Sequence, residues 1–274
     1  KVLMDHNCPD YLSDTAQSGY DDSKALIEKW HNTDRLQYAI TPRFAPTCST
    51  EQLNKAGQLL AEHPSVYLHT HLSENKAEIA WVKELFPDST SYLDVYDKSK
   101  LLGRRSVFAH GVHLHDEECQ RLGETNSAIA FCPSSNLFLG SGLFNLQQAQ
   151  KFDVNVGLGS DIGAGTTFSM LSTINEGYKT QQLRQEKLSP FQSLYLATLG
   201  GARALDLEGT VGNFTQGAEA DFVLLDYHAT PLMARRMQHC TTLSEKLFIL
   251  SMLGDERHVK ATHIMGERVT GEPK

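Results

Sequence analysis

Val66-Tyr-Leu-His-Thr-His71 runs into Leu72-Ser-Glu74-Asn75, after which residues 76–86 repeat apolar positions at helical spacing and stop before Pro87. A short apolar or β-branched run that hands over to an amphipathic helix is half of a strand–helix–strand unit. The residue before a proline is turned away from helix, which sets the stop. The same handover recurs outward in both directions. Upstream, 2–4 is a short apolar run, 15–31 is helical with Ala25, Leu26 and Trp30 in register and Asp14 as N-cap, and 36–41 is a strand. Ser49 with Gln52 forms a capping box for a helix ending near Glu62. Downstream, strand 106–111 precedes helix 116–124, strand 128–132 precedes helix 144–152, and strand 154–160 precedes helix 169–185. A further helix opens at Pro190, a good first-turn residue, and runs to about Leu205.

Regular alternation of this kind means parallel strands joined by crossover helices. Three runs end in a side chain able to bind a metal or move a proton: His71, His110 and Asp161. Chemistry spread over many strand ends is the habit of a (β/α)8 TIM-type barrel, whereas a doubly wound sheet gathers it at one switch point. Six strand–helix units are present rather than eight, and loops do not replace closing strands. The expected fold is therefore an α/β barrel, incomplete, with two units preceding residue 1. Beyond Leu205, residues 209–226 read as turn, strand, turn, strand; 230–256 as helix or loop; and 262–269 as a closing strand with a turn at Gly266. The expected domains are a partial barrel over 1–205 and a β appendage with an intervening helix over 206–274.

The chemistry concentrates in His69-Thr-His71-Leu-Ser-Glu74-Asn75, Ala109-His110-Gly111 and Gly159-Ser160-Asp161. Zinc accepts imidazole nitrogen and carboxylate oxygen, and a catalytic site keeps one position for water. His71 and Asp161 are candidate metal ligands. Glu74, three residues after His71, can face the polarised water without ligating the metal; His110 can donate to a developing oxyanion; Asp161 can also take the water's proton. The bland alternative is that each strand-terminal histidine is a hydrogen-bonded structural residue, in a chain with 12 of them. His69 shares a strand face with His71 and reads as a packed or solvent-bridging neighbour. His113 and His115 read as capping or surface residues. Gly157, Gly159, Gly163 and Gly165 imitate a dinucleotide loop, but the third glycine is one place late and Asp161 sits where pyrophosphate would. No cofactor of that kind is expected.

Composition narrows the partners. With 33 acidic against 25 basic residues the charge is −8, which argues against a nucleic-acid backbone, and no basic stripe with interleaved aromatics occurs. No apolar run approaches the ~18 residues of a membrane span. Cys8, Cys48, Cys119, Cys132 and Cys240 are odd in number and widely spaced, which reads as a reduced, cytoplasmic setting rather than a disulfide framework. The opening Lys1-Val-Leu-Met-Asp5 carries no charged-then-apolar leader. An unpaired barrel edge invites association, and a homodimer is expected.

His71-Leu-Ser-Glu-Asn, Ala109-His110-Gly-Val-His-Leu, Phe131-Cys-Pro-Ser-Ser-Asn-Leu-Phe-Leu-Gly-Ser-Gly142, Gly159-Ser-Asp161 and Gly217-Ala-Glu-Ala-Asp221 together resemble the amidohydrolase superfamily. Thr41-Pro-Arg43-Phe44-Ala-Pro and the run ending at Gly142 resemble its guanine-deaminating branch. The resemblance implies a zinc enzyme on a (β/α)8 barrel, with iron or manganese also suited to such ligands. It implies His71 as the strand-five ligand, Asp161 as the strand-eight ligand, Glu74 as proton shuttle and His110 as the residue orienting hydroxide. Arg43 and Phe44 would read and stack on a small-molecule purine. The appendage would be part of a small β-sandwich domain. The family's first-strand His-x-His is not found in this chain, which therefore corresponds to strands three to eight. The expected activity is hydrolysis of guanine to xanthine and ammonia. The alternatives are deamination of adenine, cytosine or an aminotriazine, or a metal-free inactive fragment.

Overall fold

A computed structural model describes residues 1–270; the last four residues of the expected 206–274 appendage lie outside the described residues. Six short strands, β1 (Val2–Leu3), β2 (Ala39–Pro42), β3 (Tyr67–Leu72), β4 (Ser106–His110), β5 (Ala128–Phe131) and β6 (Asn155–Leu158), form one sheet in sequential order. The pairs from β1 to β5 are parallel. Between them lie α1 (Ala16–Trp30), α2 (Thr50–Glu62), α3 (Lys76–Leu85), α4 (Tyr92–Lys98), α5 (Asp116–Glu124), α6 (Pro133–Phe138) and α7 (Leu146–Lys151). The six expected strands are all present. The α/β alternation fits strands such as β4, buried at every position, as parallel strands joined by crossover helices are.

The chain divides into two compact units, 1–130 with 148–155, and 131–147 with 156–274. In the first, the register pairs His71 with Ala109 and Leu72 with His110, so the ends of β3 and β4 lie side by side. Leu68, Thr70 and Leu72 are buried on one face of β3, while His69 and His71 occupy the other. Leu3, Ile40, Leu53, Leu59, Leu68 and Phe108, each at most 1% exposed, form the interior.

The second unit holds α8 (Met170–Leu183), α9 (Pro190–Ala197), α10 (Leu199–Ala204), α11 (Pro231–Met237) and α12 (Leu243–Leu253). It also holds the antiparallel sheet β7 (Phe222–Leu225), β8 (Val259–Ile264) and β9 (Glu267–Thr270). Its core gathers Leu171 of α8, Met233 and Met237 of α11, and Ile249 and Leu250 of α12. No helix among the described residues is long and apolar enough to cross a membrane.

Four local expectations are corrected. The N-cap of α1 is Thr15, which accepts from Ser18 N–H in a reciprocal box, not Asp14, whose carboxylate pairs with Lys1 at 2.7 Å. Ser49 caps α2 as expected, but its own N–H donates to Asp5 at 2.7 Å, and Gln52 turns inward with both amide atoms unpartnered. The helix from Pro190 breaks at Thr198, where ψ is −99°, ahead of the poor helix formers Gly200 and Gly201. Of the two strands expected in 209–226 only β7 forms, because Gly209, Gly212 and Gly217 all take positive φ and turn the chain repeatedly.

Candidate active site

The end of β3 is built around one carbonyl. The oxygen of Arg43, just beyond β2, accepts from Nδ1 of His71 at 2.6 Å and from the hydroxyl of Thr70 at 3.3 Å. A carbonyl can only accept, so Nδ1 carries the proton, and in the neutral tautomer that leaves the lone pair on Nε2. That is how a metal-ligating histidine is normally oriented by its outer partner.

Ser73, directly after β3, takes φ +47° and swings the chain so that Glu74 and Asn75 open α3. Asn75 caps the helix by accepting from Glu78 N–H at 2.9 Å. The Glu78 carboxylate in return accepts the N–H groups of Glu74 and Asn75 at 3.2 and 3.3 Å. Its other oxygen takes the hydroxyl of Tyr92 at 2.6 Å. Burial pushes the Glu78 carboxyl above its ordinary value, while the Tyr92 hydroxyl and the Asn75 N–H pull the other way.

His110 closes β4 with φ +75°, followed by Gly111 at +58°. A left-handed non-glycine residue is costly and persists where its surroundings hold it. Here Gly111 N–H donates to the Leu72 carbonyl at 2.9 Å and His113 N–H to that of Ser73 at 3.1 Å. The buried ring of His110 stacks on that of His71, with centroids 5.3 Å apart and planes at 25°.

Arg43, Phe44, His71, Glu74, Asn75, Ala77, Glu78 and Trp81 line a cavity of about 340 Å³, at the small end of the range for small-molecule sites. Phe44 meets His71 and Trp81 edge to face at 6.1 Å each, and the Arg43 guanidinium lies 4.9 Å over the Phe44 ring. The structure therefore brings together Arg43, Phe44, His71, Glu74 and, through ring stacking, His110. His115 stands at the N-cap of α5 and His69 is exposed on its strand.

Asp161 belongs to the second unit, three residues beyond β6, at φ +47°. Its carbonyl accepts from Gly165 N–H at 2.5 Å. A Cβ on Gly165 would stand 1.7 Å from the Ser160 carbonyl, so this glycine closes the turn that presents Asp161. Gly157 approaches Gly201, which makes it a packing glycine, not a phosphate cradle. Ser134, in the quoted 131–142 run, donates to the Ser160 carbonyl at 3.2 Å.

Reading the sequence missed Trp81, Glu78, Tyr92 and Tyr96 around this cavity. Asn75-x-x-Glu78 is a legible capping signature; the two tyrosines leave no comparable mark.

An imidazole, a carboxylate and a second imidazole thus gather at the ends of the adjacent strands β3 and β4. The chain belongs to the amidohydrolase family, whose model matches residues 4–269. It is 56% identical over 269 residues to guanine deaminase of Escherichia coli (strain K12), covering 98% of this chain and 61% of that protein. The solved structure of E. coli guanine deaminase matches with a TM-score of 0.98 at 55% identity, over 100% of this chain and 64% of that one. That of guanine deaminase from C. acetobutylicum, with guanine bound in its active site, matches at 0.89 and 32%, over 98% and 64%. The chain thus spans about three-fifths of the length of the curated relatives it matches.

Proposed function

We propose that this chain carries the substrate-binding and proton-transfer half of a hydrolytic guanine deaminase, converting guanine and water to xanthine and ammonia. The observation that carries the reading is the His71 imidazole, fixed through Nδ1 on the Arg43 carbonyl in the wall of a cavity that also holds Glu74 and Phe44. The similarity to guanine deaminases over nearly the whole chain and the guanine bound in one of them support guanine as substrate.

A divalent cation, zinc in this reading, needs imidazole and carboxylate donors. His71 fits it, with Nε2 left as the lone-pair nitrogen. Among the described residues no three His, Cys, Asp or Glu side chains form a group that could hold a metal, whereas a catalytic zinc takes three protein ligands and a water. The family resemblance assigns this chain two of the ligands, His71 and Asp161. When bound, such an ion lowers the pKa of water to about 7 and supplies a nucleophile at neutral pH.

The residues of the chain divide the remaining work. Arg43 offers its fork of donors to the purine carbonyl, and Phe44 stacks on the ring. Glu74 protonates a ring nitrogen, which makes the amino-bearing carbon electrophilic. Asp161 accepts the proton of the attacking water and passes it to the departing ammonia, and His110 donates a hydrogen bond to the tetrahedral centre. The same reading takes residues 1–205 as strands three to eight of a (β/α)8 barrel and 206–274 as the end of a small β domain. It places the protein in the cytoplasm as a homodimer. The sequential parallel sheet and the scattered cysteines are what support these parts.

The test is a substrate panel on the full-length protein: guanine, adenine, cytosine and an aminotriazine, followed by ammonia release. Guanine turned over well ahead of the others is the expected result. Faster release from another base, or from none, overturns the assignment.

A further inference from the structure

Helix α4 carries two tyrosines one turn apart, Tyr92 and Tyr96, with ring centroids 5.6 Å apart and exposures of 4% and 0%. A phenol this deeply buried must find partners for its hydroxyl. Neither tyrosine is among the residues lining the cavity, yet both hydroxyls are directed at the groups that build it. The Tyr96 hydroxyl donates to the His71 carbonyl at 2.8 Å and accepts from Ala45 N–H at 2.9 Å. One oxygen thus ties the end of β3 to the segment that follows Arg43 and Phe44. The Tyr92 hydroxyl donates to Glu78, whose second oxygen receives the N–H groups of Glu74 and Asn75. The helix is itself anchored, because Leu93 N–H donates to Glu118 at 3.2 Å and that carboxylate also accepts His115 N–H at 3.0 Å.

We propose that Tyr92 and Tyr96 are paired positioning residues. Tyr96 holds His71 against the Arg43–Phe44 segment, and Tyr92, through Glu78, holds the backbone of Glu74. The functional meaning rests on the reading of His71 and Glu74 as site residues; the restraint itself is a property of the fold. A role in packing alone predicts that phenylalanine, which keeps the ring, is fully tolerated at both positions. Positioning predicts that loss of either hydroxyl is felt at its own end of the site, since small misplacements of reacting groups lower turnover steeply.

The experiment is residue-resolved amide exchange with guanine kinetics on the full-length protein. Tyr92→Phe should raise exchange about tenfold at Glu74 and Asn75 and leave Ala45 unchanged, by loss of one hydrogen bond to a charged group. Tyr96→Phe should do the reverse. In both, kcat should fall roughly 10- to 100-fold with KM moving less than about threefold. Glu78→Gln keeps both phenols and should loosen the same two amides as Tyr92→Phe, which covers the case of a phenol variant that does not fold. Unchanged amides, exchange raised evenly through the first unit, or a raised KM at constant kcat overturns the proposal. The expected amide pattern in a protein that does not deaminate guanine supports the restraint and removes only the substrate reading.

Discussion

Nε2 of His110 stands 3.7 Å from Oε2 of Glu74, beyond hydrogen-bond length but close enough for one substrate atom or water to engage both. Catalytic contacts are often loose in a free enzyme and tighten with substrate. Neutralising Glu74 while keeping its shape should therefore remove proton transfer and little else. Glu74→Gln in the full-length protein is expected to retain its metal and to lose about 10²–10⁴ in kcat, the usual scale for lost acid–base help. Metal analysis beside steady-state rates checks this; an unchanged kcat takes Glu74 out of the chemistry.

Phe44 is held on three sides, by the Arg43 guanidinium and by the rings of His71 and Trp81. The proposal that a purine stacks on this ring makes a binding prediction. Aromatic–base stacking contributes about 1–3 kcal/mol per base, so Phe44→Ala should raise KM for guanine by roughly 5- to 150-fold. Arg43→Lys replaces a planar fork with a point charge and should narrow the preference for guanine over bases lacking the carbonyl. Competition assays across the base panel read both effects. Equal losses for every base would mean that Arg43 does not read the carbonyl.

How far the sequence discloses this site depends on what each residue does. His71 and His110 are legible because a polar residue ending an apolar strand breaks the pattern at the place where barrels keep their chemistry. Helix α5 is legible to the residue, 116–124, because acidic residues crowd its first turn and Thr125 ends it. Helix α4 is not: it has only seven residues, and Tyr92, Leu93, Val95 and Tyr96 are all buried, so no amphipathic stripe marks it. Glu78 is hidden for the opposite reason, since a glutamate on an amphipathic helix ordinarily faces water and this one turns inward to a phenol. The antiparallel β7–β8–β9 sheet is half legible; the turn at Gly266 is visible, but the one closing strand expected over 262–269 is two, β8 and β9, and three left-handed glycines remove the strand expected before β7.

The proposed ligand Asp161 and the Gly165 turn that supports it can be probed separately. Asp161→Ala removes the carboxylate and leaves Gly165 in place, and should lower the zinc content of the full-length protein and abolish turnover together. Gly165→Ala drives a Cβ into the Ser160 carbonyl and should lower zinc content while every candidate ligand is still present. Metal retained at a near-normal rate in Asp161→Ala would remove it from the ligand set.

Acid sensitivity has an identifiable source away from the cavity. The Glu62 carboxyl is held down at about 2, first by the Tyr20 hydroxyl at 2.6 Å and next by the Gln58 amide at 2.8 Å, with Lys24 3.3 Å away. A carboxylate depressed in the folded state stabilises it above the unfolded value near 4.5 and loses that contribution as pH falls toward 2. Tyr20→Phe removes the strongest donor. The gap in Tm between the parent and Tyr20→Phe should be full above about pH 5 and should close as the pH approaches 2. A gap that is constant with pH would trace the Tyr20 effect to packing.

The five thiols should sort themselves by burial. Cys48 is 1% exposed and burial pushes its thiol up to about 12, with Asp5 adding to the rise. Cys119 is pushed up to about 12 by burial and by the neighbouring Glu118. Cys132 is 3% exposed, while Cys8 and Cys240 are half-buried. Only the thiolate attacks a disulfide reagent, and an inert thiol is one that is both protonated and covered. A thiol titration of the native protein near pH 8 should therefore show Cys8 and Cys240 reacting first, with Cys48, Cys119 and Cys132 following only on unfolding in denaturant. Mass spectrometry of the early adducts identifies the sites. Early labelling of Cys48 would mean that the contact between β1 and the 44–48 segment, where its thiol donates to the Leu3 carbonyl at 3.4 Å, opens readily in the native state.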